Sequence, residues 1–493
     1  MFTAEVFANV FEPLTLLYLV VGVAAGIGIG CLPGLTATMG VALVLPLTFG
    51  MEAIPGILLL LGVYVGAIYG GSVSAILIRT PGTPAAAATV LDGYEFAKRG
   101  EAGRALGIST LSSFVGGMIS CVILAIMAPW LARIALKFSS PEFFLLAVFG
   151  LCVIASISGA SLAKGLLCGA LGMILACVGI DGITAHMRYT YGNINLLSGI
   201  NYIPVMIGLF AMSQAFEGVE DIFKRNAVTG AIPSVLPRRS DLLVMARVAP
   251  LCGLAGTAIG IIPGAGADIA AFVAYGQTKN LSKRPELFGT GIPEGVAAPE
   301  SANNGVTGGA LIPMLTLGVP GDAVAAIMIG ALTVQGLQPG PLLFRNHPAL
   351  INSVFMGMFL ANIVMCLMGF FCIRAFVKVL SIPKAILTPA IFMLCVVGSY
   401  AMANNFFDVW TMLVFGIVGY FLNKIDIIAS PAVLGLILGP MAESHFRRAL
   451  LMGRGSYGVF FSTPLTWIFW GLIAFSLFLP FWQRRKGGSA GRK

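Results

Sequence analysis

The sequence predicts an all-α polytopic membrane protein with about 10–14 transmembrane or half-membrane helices. We expect them to form two inverted repeats with broken or re-entrant proline–glycine helices. Three observations predict this fold: the composition, the lengths of the apolar runs, and a proline–glycine signature that occurs twice. Of the 493 residues, 58% are hydrophobic and 10% are charged, whereas a soluble globular protein has about 25% charged residues. A chain of this composition belongs in a lipid bilayer.

Some apolar runs are long enough to cross a bilayer and others are not. Residues 350–379 and 465–482 approach or exceed the ~20 apolar residues that a spanning helix needs. Four runs are shorter and lie beside proline–glycine segments, namely 35–48, 264–276, 304–317 and 323–337. We interpret these four as halves of broken helices or as re-entrant hairpins, which are tolerated at membrane depth when buried in protein or lining a wet cavity.

The proline–glycine signature is duplicated in both of its parts. The sequence GCLPG at residues 30–34 returns as GIIPG at residues 260–264, which places Pro33 and Pro263 230 residues apart. A second block follows each copy, and its prolines Pro81 and Pro320 are 239 residues apart. Paired breaks in corresponding halves of an apolar chain point to a transporter's binding site. A glycine motif taken singly favours helix packing instead, but the duplication favours a site.

Loop charges predict that the two repeats are inverted. Residues 49–55 carry no Lys or Arg, whereas the equivalent stretch 277–303 carries three. After the second block the bias reverses, with three basic residues in 92–104 and one in 338–349. Because cytoplasmic loops are enriched in Lys and Arg, equivalent loops are expected on opposite sides of the membrane.

These features divide the chain into four parts. Residues 1–214 hold the first repeat and accessory transmembrane helices, and 248–482 hold the second, inverted repeat with its own accessory helices. The polar stretch 215–247 is expected to be a cytoplasmic linker, and the basic tail 483–493 is expected to lie in the cytoplasm. The N-terminus lacks the basic start of a cleaved signal peptide, so we expect it outside, in the periplasm.

Helix breaks free backbone groups that can bind ions. A half-helix beginning at such a break presents a partly positive N-terminus, which binds anions, while carbonyl ends can hold a hard cation. Hydroxyl and amide side chains accumulate at the same places. The predicted substrate-binding residues are Pro33, Gly34, Thr36, Ser72, Arg79, Thr80, Pro81, Gly82, Thr83, Pro263, Gly264, Ser301, Asn303, Asn304, Pro320 and Gly321.

A polar block at residues 299–305 (PESANNG) precedes the short run 304–317. Ser301 or Asn303 would serve as a helix N-cap. Two adjacent amides at the mouth of a half-helix would equally suit a substrate carboxylate or Na⁺. The sequence leaves both readings open.

Few charged residues are expected near membrane depth. Arg79 could pair with a substrate carboxylate or extend to the interface. Asp268 and Asp322 follow the breaks of the second half and could hold a cation or cap a half-helix. Ionisable groups inside a membrane are functional candidates, so Asp268 and Asp322 are predicted ion-binding residues. Asn304 joins them because its amide oxygen could contact Na⁺.

The sequence lacks the residue patterns expected of metal sites, nucleotide sites, hydrolases and nucleic-acid-binding surfaces. The nine cysteines fall in apolar runs without a metal-type spacing, and the three histidines are isolated. The sequence has no phosphate loop, no HExxH and no GxSxG. Its basic residues are scattered in short loops. We therefore expect no enzyme activity, no metal, no nucleic-acid partner and no cofactor beyond Na⁺ or H⁺ as the coupling ion.

The four blocks at residues 30–36, 69–84, 260–266 and 299–304 resemble the large membrane subunit of the tripartite tricarboxylate transporter family over essentially the whole chain. The resemblance implies a subunit of a bacterial inner-membrane complex, with a small four-helix membrane subunit and a periplasmic solute-binding protein as partners. It also implies import of an organic carboxylate driven by an Na⁺ or H⁺ gradient, with the blocks lining the translocation site.

The leading hypothesis is accordingly a binding-protein-dependent secondary transporter for tricarboxylates or other carboxylate anions. Three alternatives remain at this point: a stand-alone carboxylate symporter, a membrane-embedded enzyme, and a scaffold subunit that transports nothing itself.

Overall fold

A computed structural model describes residues 3–157, 162–220, 235–379, 384–425 and 427–490. Within these ranges seven helices are long and apolar enough to cross a membrane, and six shorter apolar helices accompany them. Strand structure in the described part is one short antiparallel pair. The prediction of an all-α polytopic membrane protein is confirmed.

The first repeat begins with a short helix and then alternates long and short ones. Its helices are α1 (Ala4–Val10), α2 (Pro13–Cys31), α3 (Ala37–Val44), α4 (Ala53–Ile78), α5 (Val90–Lys98) and α6 (Ala102–Ala135).

A mixed region connects the repeats. Its elements are α7 (Ser140–Ile157), α8 (Leu162–Ala176), β1 (Gly179–Ile180), β2 (Met187–Arg188), α9 (Tyr202–Met206) and α10 (Ser213–Glu220), and a π-helical segment joins the last two.

The second repeat follows, and further helices complete the chain. These helices are α11 (Arg239–Ile261), α12 (Ala267–Leu281), α13 (Pro293–Leu317), α14 (Ala323–Val334), α15 (Pro341–Asn346), α16 (Pro348–Phe371), α17 (Ile373–Val379), α18 (Lys384–Ala403), α19 (Phe406–Lys424), α20 (Ser430–Met452) and α21 (Pro464–Ala490).

Both copies of the proline–glycine signature break a helix in the same way. Helix α2 ends at Cys31 and helix α11 at Ile261, and a turn follows in each case. Gly34 and Gly264 occupy the turns with φ of +92° and +81°, a left-handed conformation that favours glycine. The short helices α3 and α12 then begin, so the predicted breaks and short helices are confirmed here.

One predicted half-helix is wrong. Residues 304–317 form the C-terminal part of the 25-residue helix α13, which begins at Pro293. Pro299 and Pro313 lie inside this helix without ending it. In a membrane helix, neighbouring groups can satisfy the carbonyls that a proline leaves without a donor.

Glycines set the close packing within each repeat. A Cβ atom on Gly26 would lie 2.4 Å from the carbonyl oxygen of Val63, so α2 and α4 approach backbone to backbone. In the second repeat, a Cβ on Gly256 would lie 2.0 Å from the carbonyl oxygen of Ala302, between α11 and α13. Small residues at such contacts are typical of tightly packed membrane helices.

Contacts between the repeats confirm their inverted relation. The Arg99 guanidinium, beyond the second block of the first repeat, donates to the carbonyl of Gly291 inside the second repeat at 3.2 Å. The Gln335 amide, beyond the second block of the second repeat, donates to the carbonyl of Met51 inside the first repeat at 3.2 Å. Equivalent segments therefore lie at opposite ends of the helices.

The predicted linker and tail are only partly described. Helix α10 reaches Glu220 and helix α11 begins at Arg239, so helical structure enters both ends of the stretch 215–247. Residues 221–234 of the linker and 491–493 of the tail lie outside the described residues. The division into four parts stays a prediction.

We predict that Gly26→Ala lowers the stability of the protein by about 1–3 kcal/mol, because the added methyl group overpacks the α2–α4 contact. Thermal unfolding in detergent measures the effect. Gly28→Ala is the matched control on the same helix, since a Cβ at Gly28 meets open space. Equal unfolding temperatures for the two variants would contradict the packing interpretation.

Candidate functional site

The second proline–glycine block of each repeat contacts the long helix of the other repeat. Residues 79–85 of the first repeat contact α13, and residues 318–322 of the second contact α4. The Tyr64 hydroxyl on α4 donates to Asp322 Oδ2 at 2.5 Å. The Asn303 amide on α13 donates to the carbonyl of Ala85 at 3.1 Å. Tyr64 and Asn303 are 239 residues apart, so they occupy equivalent positions. The two loops therefore cross between the repeats in a reciprocal manner.

These crossings lie near the middle of the long helices. At ~1.5 Å per residue, Tyr64 is about 17 Å from the start of α4, and Asn303 is about 15 Å from the start of α13. The same rise makes each helix about 38 Å long. Irregular backbone is thus held at mid-depth, where it must be buried in protein or line a cavity.

Each loop also docks against the helix that ends at the first break of its own repeat, which is α2 or α11. A Cβ on Gly82 would lie 1.9 Å from the carbonyl oxygen of Gly30, and a Cβ on Gly321 would lie 2.5 Å from that of Gly260. No larger residue fits at either position without moving the backbone. Glycine in the second block is therefore needed for close approach.

Asp322 joins three elements of the site. Its carboxylate caps α14 by accepting from the Ala325 N–H at 2.7 Å, and it also accepts from Tyr64. A negative charge is stabilised at a helix N-terminus. The capping role that the sequence allowed is observed, and ion binding by Asp322 stays a prediction. Asp268, the other predicted acid, is exposed in the first turn of α12.

The polar block of residues 299–305 lies in the interior of α13, with Glu300, Ser301, Asn303 and Asn304 fully buried. The reading of Ser301 or Asn303 as a helix N-cap is therefore wrong. The Ser301 hydroxyl donates to the carbonyl of Ala249 at 2.5 Å and joins α13 to α11.

Asp92 of the first repeat binds the segment that precedes α13, and the helix then begins at Pro293, a residue favoured at the first helical position. The buried Asp92 carboxylate accepts from the backbone N–H groups of Gly289, Gly291 and Ile292 at 2.7–3.1 Å. It also accepts from the Tyr275 hydroxyl at 2.9 Å. Sequence reasoning missed Asp92, because its partners lie about 200 residues away.

Sequence reasoning also missed Glu300 as a site residue. Its carboxyl group is bonded to the hydroxyls of Thr89, Ser109 and Ser113, the last two at 3.2 and 3.1 Å. In the described part of the chain, no Lys, Arg or His side chain pairs with it. One signal was available: the equivalent position in the first repeat is Leu61, so an acid replaces an apolar residue in a buried helix.

A chain of hydroxyl groups continues from Glu300 into the first repeat. Ser109 contacts Ser72 at 2.7 Å, and Ser72 donates to the carbonyl of Tyr69 at 2.8 Å. The Tyr69 hydroxyl contacts Thr110 at 2.8 Å. The structure thus brings one predicted residue, Ser72, next to the polar block of α13.

Two predicted residues carry buried oxygens without a hydrogen-bond partner among the described residues. These are Asn304 Oδ1 and Thr83 Oγ1. The Asn304 amide nitrogen is satisfied, since it donates to the Glu300 carbonyl and to Asn303 Oδ1. Buried polar atoms are normally paired, so these two oxygens are candidate contact points for a ligand.

The remaining predicted residues are placed differently. Arg79 is exposed at the end of α4, with its guanidinium 5.7 Å from the Tyr94 ring, and Thr80 is exposed beside it. Thr36 caps α3 by accepting from the Met39 N–H. Arg79 is thus not part of the polar cluster around α13. The turn and loop backbones contain Pro33, Gly34, Pro81, Gly82, Pro263, Gly264, Pro320 and Gly321.

Inverted repeats whose broken segments meet at mid-depth are typical of secondary transporters. The sequence profile of the Tripartite tricarboxylate transporter TctA family matches residues 16–434. The chain belongs to that family.

Two relatives come from Agrobacterium vitis. The chain is 38% identical over 459 residues to an uncharacterized 52.8 kDa protein in the TAR-I ttuC' 3'region, covering 93% of this chain and 91% of the relative. It is 41% identical over 210 residues to an uncharacterized protein in the TAR-II ttuC' 3'region, covering 43% of this chain and 87% of that relative. No solved structure matches the chain significantly.

We predict that Tyr64 and Asp322 are energetically coupled across the two repeats. A double-mutant cycle with Tyr64→Phe and Asp322→Asn, followed by unfolding in detergent, should give a coupling energy of about 0.5–3 kcal/mol. Tyr191→Phe is the control for loss of a hydroxyl, because Tyr191 is 90% exposed. Additive effects of the Tyr64 and Asp322 substitutions on the free energy of unfolding would show that the hydrogen bond between these residues does not contribute to stability.

Proposed function

We propose that this chain imports tricarboxylates or other carboxylate anions across the bacterial inner membrane, coupled to Na⁺ or H⁺. In this proposal it is the large membrane-spanning subunit of a system that receives its substrate from a periplasmic solute-binding protein. The observation that carries the proposal is the reciprocal crossing of the two proline–glycine loops at mid-depth. Discontinuous helices at that depth are where secondary transporters bind substrates and coupling ions.

The N-terminus of α12 supports an anion site. Helices α3 and α14 are capped by the side chains of Thr36 and Asp322, whereas α12 begins after Gly266, which has no side chain to cap it. The free N–H groups of such a helix end attract a carboxylate.

Asp268 in the same first turn gives a reason for ion coupling. Its charge would repel a substrate carboxylate, and a bound cation or proton would remove that repulsion. Substrate and coupling ion would then bind together more readily than either alone.

Buried oxygens of both repeats support contacts to the rest of the substrate. Thr83 Oγ1 belongs to the loop of the first repeat and Asn304 Oδ1 to the long helix of the second. A ligand bound by both would hold the repeats in one relative arrangement. Movement of the repeats would then alternate access from the two sides.

The charge of the helix ends supports an orientation. Arg99 and Gly291 are in contact, so the basic residues of 92–104 and those of the segment before α13 share one end of the molecule. By the positive-inside rule we assign this end to the cytoplasm. The periplasmic N-terminus and cytoplasmic C-terminus predicted from the sequence belong to the same proposal.

The proposed partners are a small four-helix membrane subunit and the periplasmic binding protein. The word tripartite in the family description supports this assembly. Membership in a transporter family also favours transport over enzymatic activity or a purely structural role.

Reconstitution tests the proposal. Proteoliposomes containing this chain and the small subunit should accumulate labelled citrate, used as the tricarboxylate probe, when the binding protein and an Na⁺ or H⁺ gradient are both supplied. Vesicles without the binding protein are the control. Equal uptake in both would show a stand-alone carrier, and no gradient-dependent flux in any combination would exclude transport.

We predict that Asn304→Ala reduces uptake about tenfold or more, as expected when a directed polar contact worth ~1.4 kcal/mol is lost. Asn362→Ala on α16 is the matched control, because Asn362 is also fully buried but bonds Met358 and Cys121 away from the loops. Membrane insertion should be normal in both variants. Normal uptake by Asn304→Ala would reduce this residue to a structural role.

A further inference from the structure

Glu300 is a buried carboxyl group surrounded by neutral groups. Its side chain is inaccessible to solvent and is bonded to the hydroxyls of Thr89, Ser109 and Ser113 and to the Asn303 side chain. It lies about 10 Å from the start of α13, inside the span. An ionised carboxylate at such depth is costly unless it is paired with a cation or loses its charge.

The hydroxyl groups around Glu300 are compatible with either form of its carboxyl group. In the 2.7 Å contact between Ser72 and Ser109, either hydroxyl can be the donor. Ser109 and Ser113 lie 3.2 and 3.1 Å from Glu300 Oε2, and a hydroxyl can donate to a carboxylate or accept from a carboxylic acid. These partners therefore accommodate a protonated Glu300.

Three other buried carboxyl groups of the chain have a different set of partners. Asp92, Asp322 and Glu142 each accept from at least one backbone N–H, which can only donate. No backbone N–H bonds the Glu300 side chain in the described part of the chain; three of its partners are hydroxyls and the fourth is the Asn303 side chain. Because a hydroxyl can accept as well as donate, these surroundings accommodate a neutral acid.

The ionisable groups on neighbouring elements are engaged elsewhere or neutral. Asp92 on α5 binds the backbone before α13 and the Tyr275 hydroxyl of α12. Arg104 on α6 pairs with Asp241 of α11 at 2.6 Å. Tyr69 on α4 is close enough to interact electrostatically with Glu300, and its hydroxyl is bonded to Thr110. None of these groups supplies the counter-charge that an ionised Glu300 would need.

We propose that Glu300 is a neutral carboxylic acid in this structure and that it carries the proton which drives substrate import. The second half of this inference rests on the proposed function. The inference selects H⁺ over Na⁺ as the coupling ion. It assigns the proton to Glu300, which is not one of the predicted ion-binding residues.

The location of the partners links the proton to movement of the repeats. Glu300 belongs to the second repeat, whereas Thr89, Ser72 and Ser109 belong to the first. Helix α6, which carries Ser109, packs closely against α13, since a Cβ on Gly116 would lie 2.0 Å from the carbonyl oxygen of Ser301. Movement of the segment that contains Thr89 away from α13 breaks the Thr89 hydrogen bond and exposes the carboxyl group. One proton from the side that supplies substrate forms the O–H bond of Glu300. That bond breaks when the site opens to the other side, and the proton passes to water there.

Infrared spectroscopy of the protein in vesicles tests the neutral state without transport. We expect the carbonyl band of a protonated carboxyl group at neutral pH, its loss in Glu300→Gln, and a displaced band in Ser109→Ala. Ser112→Ala is the matched control, because the Ser112 hydroxyl is buried on the same helix without a recorded partner, and it should leave the band in place.

A spectrum that is unchanged in Glu300→Gln would show that Glu300 is ionised and would overturn the proposal. If Glu300→Gln fails to insert into the membrane, Ser109→Ala and Ser112→Ala test the proposal instead. A carboxyl carbonyl band that is displaced in neither variant would contradict its assignment to Glu300.

Flux measurements test the carrier role. In vesicles with both partner subunits and citrate as the probe, Glu300→Gln should lose accumulation driven by a pH gradient and the accompanying proton influx. It should keep exchange of labelled for unlabelled citrate within about twofold of wild type, because exchange moves no net proton. Glu142→Gln is the control for loss of a buried carboxyl group elsewhere and should keep both activities.

The outcomes separate the two proposals. Proton-driven accumulation by Glu300→Gln, or wild-type uptake driven by Na⁺ and indifferent to the pH gradient, overturns the proton role while import stands. Absence of any wild-type flux overturns the import function, and the proton role with it.

Discussion

The structure depends on one constraint, which is that broken backbone at membrane depth must find its partners inside the protein. The inverted repeats meet this constraint reciprocally: the loop after each long helix lies on the middle of the other repeat's long helix. Tyr64 with Asp322 and Asn303 with Ala85 are the two crossing contacts. The glycine contacts serve the same end, because the loops can reach mid-depth only where the helices leave no side chain in the way.

The reciprocal crossing is symmetric in backbone but not in chemistry. Where the second repeat has Glu300, the first has Leu61, and where the first has Arg79 in the left-handed region, the second has Gly318. A non-glycine residue in that region is strained, so the two loops are not interchangeable. The polar groups concentrate on α13, which makes the second repeat the chemically distinct half of the site.

Local sequence patterns predicted where the helices break, whereas the partners of the buried side chains depend on contacts between residues that are distant in sequence. Pro33 and Pro263 marked the ends of α2 and α11 because a proline–glycine pair ends a helix by itself. The distribution of Lys and Arg among the loops predicted that the repeats are inverted, because the positive-inside rule depends on the sequence of each loop alone and not on its contacts. The start of α13 had a local signal in Pro293 and Glu294, which favour the first helical turn, but the polar block further along was read as the helix start. Glu300 was missed because its hydroxyl partners are almost 200 or more residues away in sequence.

The contrast between two buried acids shows how position in a helix selects the partners of a carboxyl group. Asp322 lies at the N-terminus of α14, where a backbone N–H is available, and it accepts from that N–H and from the Tyr64 hydroxyl of the other repeat. Glu300 lies in the interior of α13, where the backbone N–H groups are already bonded within the helix. It is bonded to hydroxyls of the opposite repeat, which can accept a proton as well as donate one. The same crossing that buries the loops therefore produces one acid bonded to the backbone of its own helix and one whose hydroxyl partners all come from the opposite repeat.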